Sequence, residues 1–230
     1  MDMNRKLTML LSVLAALLLV AAAACGEGSM PQVGSMITLG HYEQDNDLTN
    51  GQEPIEWRVL KIEGDTVLLV SRYALDAQPY NEKPAVASWI KCTLRAWLND
   101  TFYNAAFTDE EKQTIVTREI VNRKEASTAD PVFLLSTDEA KQLFANHPDR
   151  QADPTAYAIA QGAYISTKYT GKVQWWCRTT SWESRYRAAY IAASGGVMTC
   201  GGNSFGAVEN AKLVVRPAIY VTLESLTVAQ

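Results

Sequence analysis

Apolar residues occur along this chain in three patterns. The first is a continuous run over residues 7–24, broken only by Thr8 and Ser12, that closes on four alanines directly before Cys25. Arg5 and Lys6 precede it. A basic start, an apolar middle and small residues before a cysteine are the parts of a lipoprotein export signal, in which the thiol takes up lipid. Ala22 departs from the usual pattern, which has Leu three residues before the cysteine. A cleaved signal without lipid and an uncleaved anchor are the alternatives, since roughly 20 apolar residues span a bilayer. All three place the rest of the chain outside the cytoplasm. The reading divides the chain into a signal peptide (1–24), a polar tether (25–35) and a single globular domain (36–230).

The second pattern is alternation. Ile55, Trp57 and Val59 face one way, Glu56 and Arg58 the other, and Gly64-Asp65 then turns the chain. This predicts a hairpin of strands over 55–63 and 66–71, after a first strand at 36–39. Residues 73–91, with Pro79 and Pro84, read as loop. The third pattern is helical spacing: Leu94, Trp97, Leu98 and Phe102 form one stripe. Thr108–Glu111 and Ser136–Glu139 carry the residues of capping boxes, in which hydroxyl and carboxylate each satisfy a free amide at a helix start. The second box opens a helix reaching about residue 146, and 155–163 predicts another. Strands are expected at 114–121 and 132–135, and a loop between Pro148 and Pro154. The last third predicts strands over 173–178, 188–193, 197–199 and 213–223. Gly195-Gly196 suits a tight turn, and Pro217 argues for an edge or a bulge. Strands, then helices, then strands indicate an α+β fold with small antiparallel sheets and several short helices.

Chemistry changes this picture little. The net charge is −4 with no run of Lys or Arg, which argues against nucleic acid as a partner. Only His41 and His147 are histidines, and no CxxC or HExxH occurs, so the sequence leads us to expect no metal and no cofactor. Beyond Cys25 there are Cys92, Cys177 and Cys200; a disulfide is permitted outside the cell, and spacing does not choose the pair. Asp138, Glu139, Glu110 and Glu111 are best read as helix starts. Arg178 and Arg216 lie in predicted strands and, if buried, need a carboxylate, either structural or on a ligand.

Several blocks together resemble a bacterial family, domain of unknown function 6273. They are Ile55-Glu-Trp-Arg-Val-Leu60, Leu68-Leu-Val-Ser-Arg-Tyr-Ala-Leu75, Leu94-Arg-Ala-Trp-Leu-Asn99, Phe102-Tyr-Asn-Ala-Ala-Phe107, Phe133-Leu-Leu-Ser136, Thr155-Ala-Tyr-Ala158, Trp175-Trp-Cys-Arg178 and Val215-Arg-Pro-Ala218. The resemblance spans about residues 36–223 and departs at Cys177, where Leu is usual. Cys92 also stands where a cap residue such as Ser is expected. The closing part is similar to C-type-lectin-like folds, including those of formylglycine-generating enzymes. That likeness implies a binding face over 179–187 and 199–210. Cys177 and Cys200 do not match the spacing of those enzymes' reactive pair and are expected instead as a cross-strand disulfide or as two separate thiols. The calcium-lectin signatures are missing.

Within the implied face, Trp182, Arg185, Tyr186, Arg187 and Asn203 are the candidate contacts, because aromatic and arginine side chains dominate recognition surfaces. Trp175 and Trp176, adjacent in a strand, are expected to point to opposite faces, one inward and one outward. The function expected is a ligand-binding module for an extracellular glycan, peptide or protein, tethered to the membrane through lipid on Cys25. An enzyme acting on cell-envelope material would be marked by a deep cleft with a carboxylate pair. A structural or assembly protein would be marked by loop aromatics that are fully buried.

Overall fold

A computed structural model describes residues 30–181, 184–199 and 206–227. Cys25, Trp182, Cys200 and Asn203 lie outside the described residues, as does the apolar run 7–24. Among the described residues no helix is long and apolar enough to cross a membrane.

The alternating run folds as expected. Strands β1 (Met36–Tyr42), β2 (Glu53–Glu63) and β3 (Thr66–Ser71) form an antiparallel meander. Ile55, Trp57 and Val59 are fully buried on its inner face. Trp57 donates from Nε1 to the Leu39 carbonyl (2.7 Å), so its one polar atom is satisfied. A bulge between Val59 and Lys61 shifts the register and lets Leu60 turn inward as well. The last strand, β12 (Ala218–Thr222), completes this sheet between β3 and β7 (Val132–Phe133), giving the order β1-β2-β3-β12-β7.

A second five-stranded sheet has the order β10-β9-β8-β11-β4. Its members are β4 (Asp76–Ala77), β8 (Trp175–Thr180), β9 (Ala188–Ile191), β10 (Val197–Met198) and β11 (Val214–Val215). This sheet is mixed rather than antiparallel, because β11 runs parallel to β8. Two further strands and a long segment separate the two in sequence, enough chain for a parallel return. A small pair, β5 (Arg118–Ile120) with β6 (Thr128–Asp130), stands apart. Strand β5 is much shorter than predicted; upstream of it the chain turns instead to β12, where Ile115 bridges Val221 and Val116 N donates to the Tyr220 carbonyl (2.8 Å).

Pro217 is neither on an edge nor in a bulge. It lies between β11 and β12, where the chain leaves one sheet for the other. Proline has no N–H to donate to a ladder, which suits that break; its carbonyl still accepts from Ser71 N (2.9 Å).

The expectation for Trp175 and Trp176 fails. Both are fully buried, because the second sheet is covered on both faces. Trp175 packs near Phe144 (6.4 Å) and donates to the Arg150 carbonyl (2.9 Å); Trp176 packs near Tyr80 (5.6 Å) and donates to the Gln78 carbonyl (2.9 Å).

Both capping boxes are present, at the starts of α3 (Asp109–Thr114) and α4 (Thr137–Leu143). The stripe at 94–102 belongs to α1 (Thr93–Trp97), a π-helical turn (Leu98–Phe102) and α2 (Tyr103–Ala106). Leu94, Leu98 and Phe102 are four residues apart, a spacing that drifts around an α-helix; the wider turn absorbs the drift and keeps all three buried. Cys92 caps α1, its Sγ accepting from Arg95 N (3.3 Å), so sulfur does here what a serine hydroxyl would do. Pro148 opens a short helix, α5 (His147–Arg150), rather than a loop. Helix α6 (Ala156–Ala160) is shorter than predicted, and α7 (Leu223–Thr227) follows β12. Gly195 turns β9 toward β10 at φ +81, and a Cβ there would sit 1.8 Å from the His147 carbonyl oxygen. Only glycine fits that approach.

Candidate functional site

The implied face forms where three segments meet beyond the end of β8. Arg187 bridges Ala207, so the loop after β8 lies against the segment before β11. Ala87 N donates to the Arg185 carbonyl (2.7 Å), Val208 N to the Tyr186 carbonyl (3.2 Å) and Asn81 N to the Val208 carbonyl (2.8 Å). The loop at 184–187 is thus held by backbone bonds on two sides, although it is not itself a regular element. Gly206 is packed closely, since a Cβ there would meet the Ala188 carbonyl oxygen at 2.8 Å.

On this frame Tyr186 is 52% exposed, and the Arg185 guanidinium lies 5.9 Å from its ring centre. Arg185 is exposed and Arg187 half-buried, and Val86 of the bracing segment is exposed beside them. The structure therefore brings Arg185, Tyr186 and Arg187 together. Trp182 and Asn203 lie outside the described residues. Full burial of loop aromatics, the mark of a purely structural loop, does not hold for Tyr186.

Behind this face sits a charged nest that sequence reasoning located only in part. Arg178 is 5% exposed. Both its Nη atoms bond the Glu139 carboxylate, Nη2 to Oε1 at 2.8 Å and Nη1 to Oε2. Nη1 also donates to the Leu134 carbonyl (2.9 Å) and Nη2 to that of Val121 (3.1 Å). Burial would push the Glu139 carboxyl up, but the Arg178 hydrogen bonds and charge and the Ser136 amide outweigh it and hold the group below its usual range. Reading Glu139 as a helix cap was correct but incomplete. The same carboxylate that accepts Ser136 N also holds the buried arginine. The strand position of Arg178 was the available signal; nothing in the sequence paired it with Glu139.

Beside Arg178 lies a cavity of about 10 Å³, lined by residues including Asn122, Glu125, Ser136 and Thr179. Asn122 Oδ1 and Arg178 Nε are buried there without a protein partner. The space has room for about one water molecule and none for a substrate.

Arg216 differs from the expectation of a carboxylate partner. It lies between strands, not within one, and bonds carbonyl oxygens: Ser71 (2.9 Å), Arg150 (3.5 Å) and Arg72 (3.5 Å). Cys177 is a free, fully buried thiol, and Cys200, its expected partner, lies outside the described residues. Burial pushes the Cys177 thiol strongly up, and the Cys92 thiol up to about 12, so neither is a nucleophile near neutral pH.

Two larger clefts carry little chemistry. One of about 570 Å³ runs between residues 30–39, Thr114 and Ser225-Leu226, with no ionisable side chain in its lining. The other, about 460 Å³, includes His41 and Glu111. Both Glu111 oxygens are committed, Oε1 to Gly40 N (2.9 Å) and Oε2 to Thr108 N (2.8 Å), so that carboxylate is not free to act as a base.

One comparison with known proteins bears out the blocks read from Leu68 onward, while the block at 55–60 lies ahead of the matched span. A family model described as Domain of unknown function (DUF6273) matches residues 64–223, and the chain belongs to that family. Strands β1 and β2 precede the matched span but are part of the same sheet as its first strand, β3. No curated protein and no solved structure matches.

Proposed function

We propose that the protein is an extracytoplasmic binding module, held at the membrane by lipid on Cys25. Its face over residues 179–187 and 199–210 would meet a glycan, peptide or protein. The observation that carries this reading is Tyr186, an exposed aromatic under an arginine, on a loop braced by backbone bonds from two neighbouring segments. A rigid aromatic with an adjacent guanidinium gives contact area at small entropic cost. None of the three clefts above is lined by a pair of carboxylates, which favours binding over catalysis. The likeness of the closing region to C-type-lectin-like folds belongs to the same proposal; the strand at Trp175–Thr180, the loop after it and the closing Val215-Arg-Pro-Ala218 support it.

The test is a screen of the full chain in detergent against glycans, cell-wall fragments and peptides. Tyr186→Ala should weaken a detected ligand at least tenfold, in the range of about 1–2 kcal/mol or more found for central aromatic contacts. Unchanged binding in both Tyr186→Ala and Trp182→Ala would refute the site. Metabolic labelling with palmitate, lost in Cys25→Ser, tests the anchor.

A further inference from the structure

The turn joining β1 to β2 carries more negative charge than a hairpin needs. Tyr42 pairs with Glu53 across the base, so Glu43 and Glu53 flank the mouth of a ten-residue loop. One carboxylate oxygen from each of Glu43, Asp45 and Glu53 lies within 4.8 Å of the others. Glu43 is only 7% exposed, and its Oε1 is buried without any partner. Among the described residues, no ion pair with a lysine or arginine includes any of the three.

The other two carboxylates are held in place. Glu53 Oε2 accepts from Gln44 N (2.6 Å) and Asp45 N (3.2 Å). Asp45 Oδ1 accepts from Asp47 N (2.7 Å) and Oδ2 from Asn50 Nδ2 (2.8 Å). These bonds favour an ionised Asp45, whose pKa is lowered. Gln44 fixes the loop to the rest of the fold, its carbonyl accepting from Tyr157 N (3.0 Å) and its Nε2 donating to the Glu53 and Pro54 carbonyls. Asn46 and Gly51 take left-handed conformations (φ 66 and 95) that draw the loop round.

Three carboxylates this close, one of them out of water, repel one another unless a positive charge sits between them. We propose that Glu43, Asp45 and Glu53 form a binding site for a divalent cation, and specifically for Ca²⁺. Oxygen donors without Cys or His exclude a soft-metal site. Separations up to 4.8 Å suit an ion whose ligands stand about 2.4 Å away, which is the distance for Ca²⁺. An open loop with carboxylate, carbonyl and water donors suits its variable coordination better than the strict octahedron of Mg²⁺. The lack of Cys and His spacing motifs, which gave the expectation of no metal, says nothing about carboxylates brought together by a hairpin. This site lies ahead of residue 64 and does not depend on the ligand face.

The experiment is titration of the chelator-stripped full chain in detergent with CaCl₂ alone, followed by calorimetry and thermal melting. One saturable site per chain is expected, with Kd of about 10⁻⁵ to 10⁻³ M, and a rise in Tm that equimolar MgCl₂ does not reproduce. Glu43→Gln should weaken Ca²⁺ at least tenfold and, in chelator, melt no lower than the parent, because it removes repulsion. If Glu43→Gln fails to fold, Asp45→Asn on the exposed side of the cluster carries the same expectation for Ca²⁺. Absence of saturable binding up to about 10 mM, well above the Kd range of known extracellular sites, overturns the proposal. So does parental affinity in the folded variants, or a Tm rise that Mg²⁺ matches.

Discussion

Arg178 and Arg216, two of the three buried arginines among the described residues, sit in nearly equal isolation from water, and the fold treats them differently. Arg178 is bound by a carboxylate through two nitrogens that also reach two carbonyls, with the Phe133 ring 5.8 Å away. Arg216 has no carboxylate within ion-pair distance among the described residues. It has three carbonyls, and the Phe144 and Trp175 rings at 5.4 and 5.3 Å. Burial draws its guanidinium down to about 10, Arg58 adds to the fall and Asp153 opposes it, yet it stays charged near neutral pH. The difference follows from position. Arg178 ties a helix start to a sheet. Arg216 stands where the chain changes sheets, next to carbonyls at the end of β3 that the ladder no longer serves. There, carbonyl dipoles and ring faces take the place of an ion pair.

If this contrast holds, removing Glu139 should be the most damaging change, because it strands a buried charge. Glu139→Ala should lower stability by about 3–4 kcal/mol, read as a fall in urea midpoint at constant slope. Arg216→Met should cost less, about 2 kcal/mol, because it leaves unpaired carbonyls but no unpaired charge. The reverse order would break the comparison. Arg178→Met combined with Glu139→Leu should be less harmful than Glu139→Ala alone, with a coupling of about 1–3 kcal/mol in a double-mutant cycle. The pH dependence sharpens the same point. The Glu139 pKa is lower folded than unfolded, so its contribution is complete above the unfolded value of about 4.3 and is lost as pH falls through the folded value. Chemical denaturation from pH 6 downward should therefore show a shallower acid loss in Arg178→Met than in the parent. The smallest effect, about 1 kcal/mol, is expected for Arg216→Lys, which keeps the charge but loses the planar stacking on Phe144 and Trp175.

Local signals in the sequence were reliable where one residue's chemistry decides the structure. Thr108 and Ser136 begin helices because hydroxyl and carboxylate fit the free amides, and Cys92 occupies a cap because sulfur also accepts an N–H. The β2–β3 hairpin was legible because one of its faces is partly wet. The second sheet was not. With both faces covered, Trp175 and Trp176 lose the alternation that would reveal direction, and a mixed sheet leaves no mark of its parallel pair. Pro217 announced a break but not that the break lies between sheets. The candidate site was legible as a segment, through Arg185, Tyr186 and Arg187, while its braces at Asn81, Ala87 and Val208 come from far along the chain. The carboxylates of the first hairpin are not legible in the sequence because Glu43 and Glu53 stand ten positions apart, and only the pairing of Tyr42 with Glu53 across the turn unites them.

The position of β12 bears on how the molecule assembles. It enters the first sheet between β3 and β7, strands more than 80 residues earlier, and it is the last strand among the described residues. Contacts of such long sequence separation form slowly, since loop closure must precede their reward. Until β12 docks, β3 lacks one neighbour and β7 lacks its partner, and both present open edges to other chains. A chain stopped before residue 218 keeps those edges permanently. The chain is thus most prone to self-association before β12 docks, and a chaperone shielding the β3 and β7 edges would act in that interval.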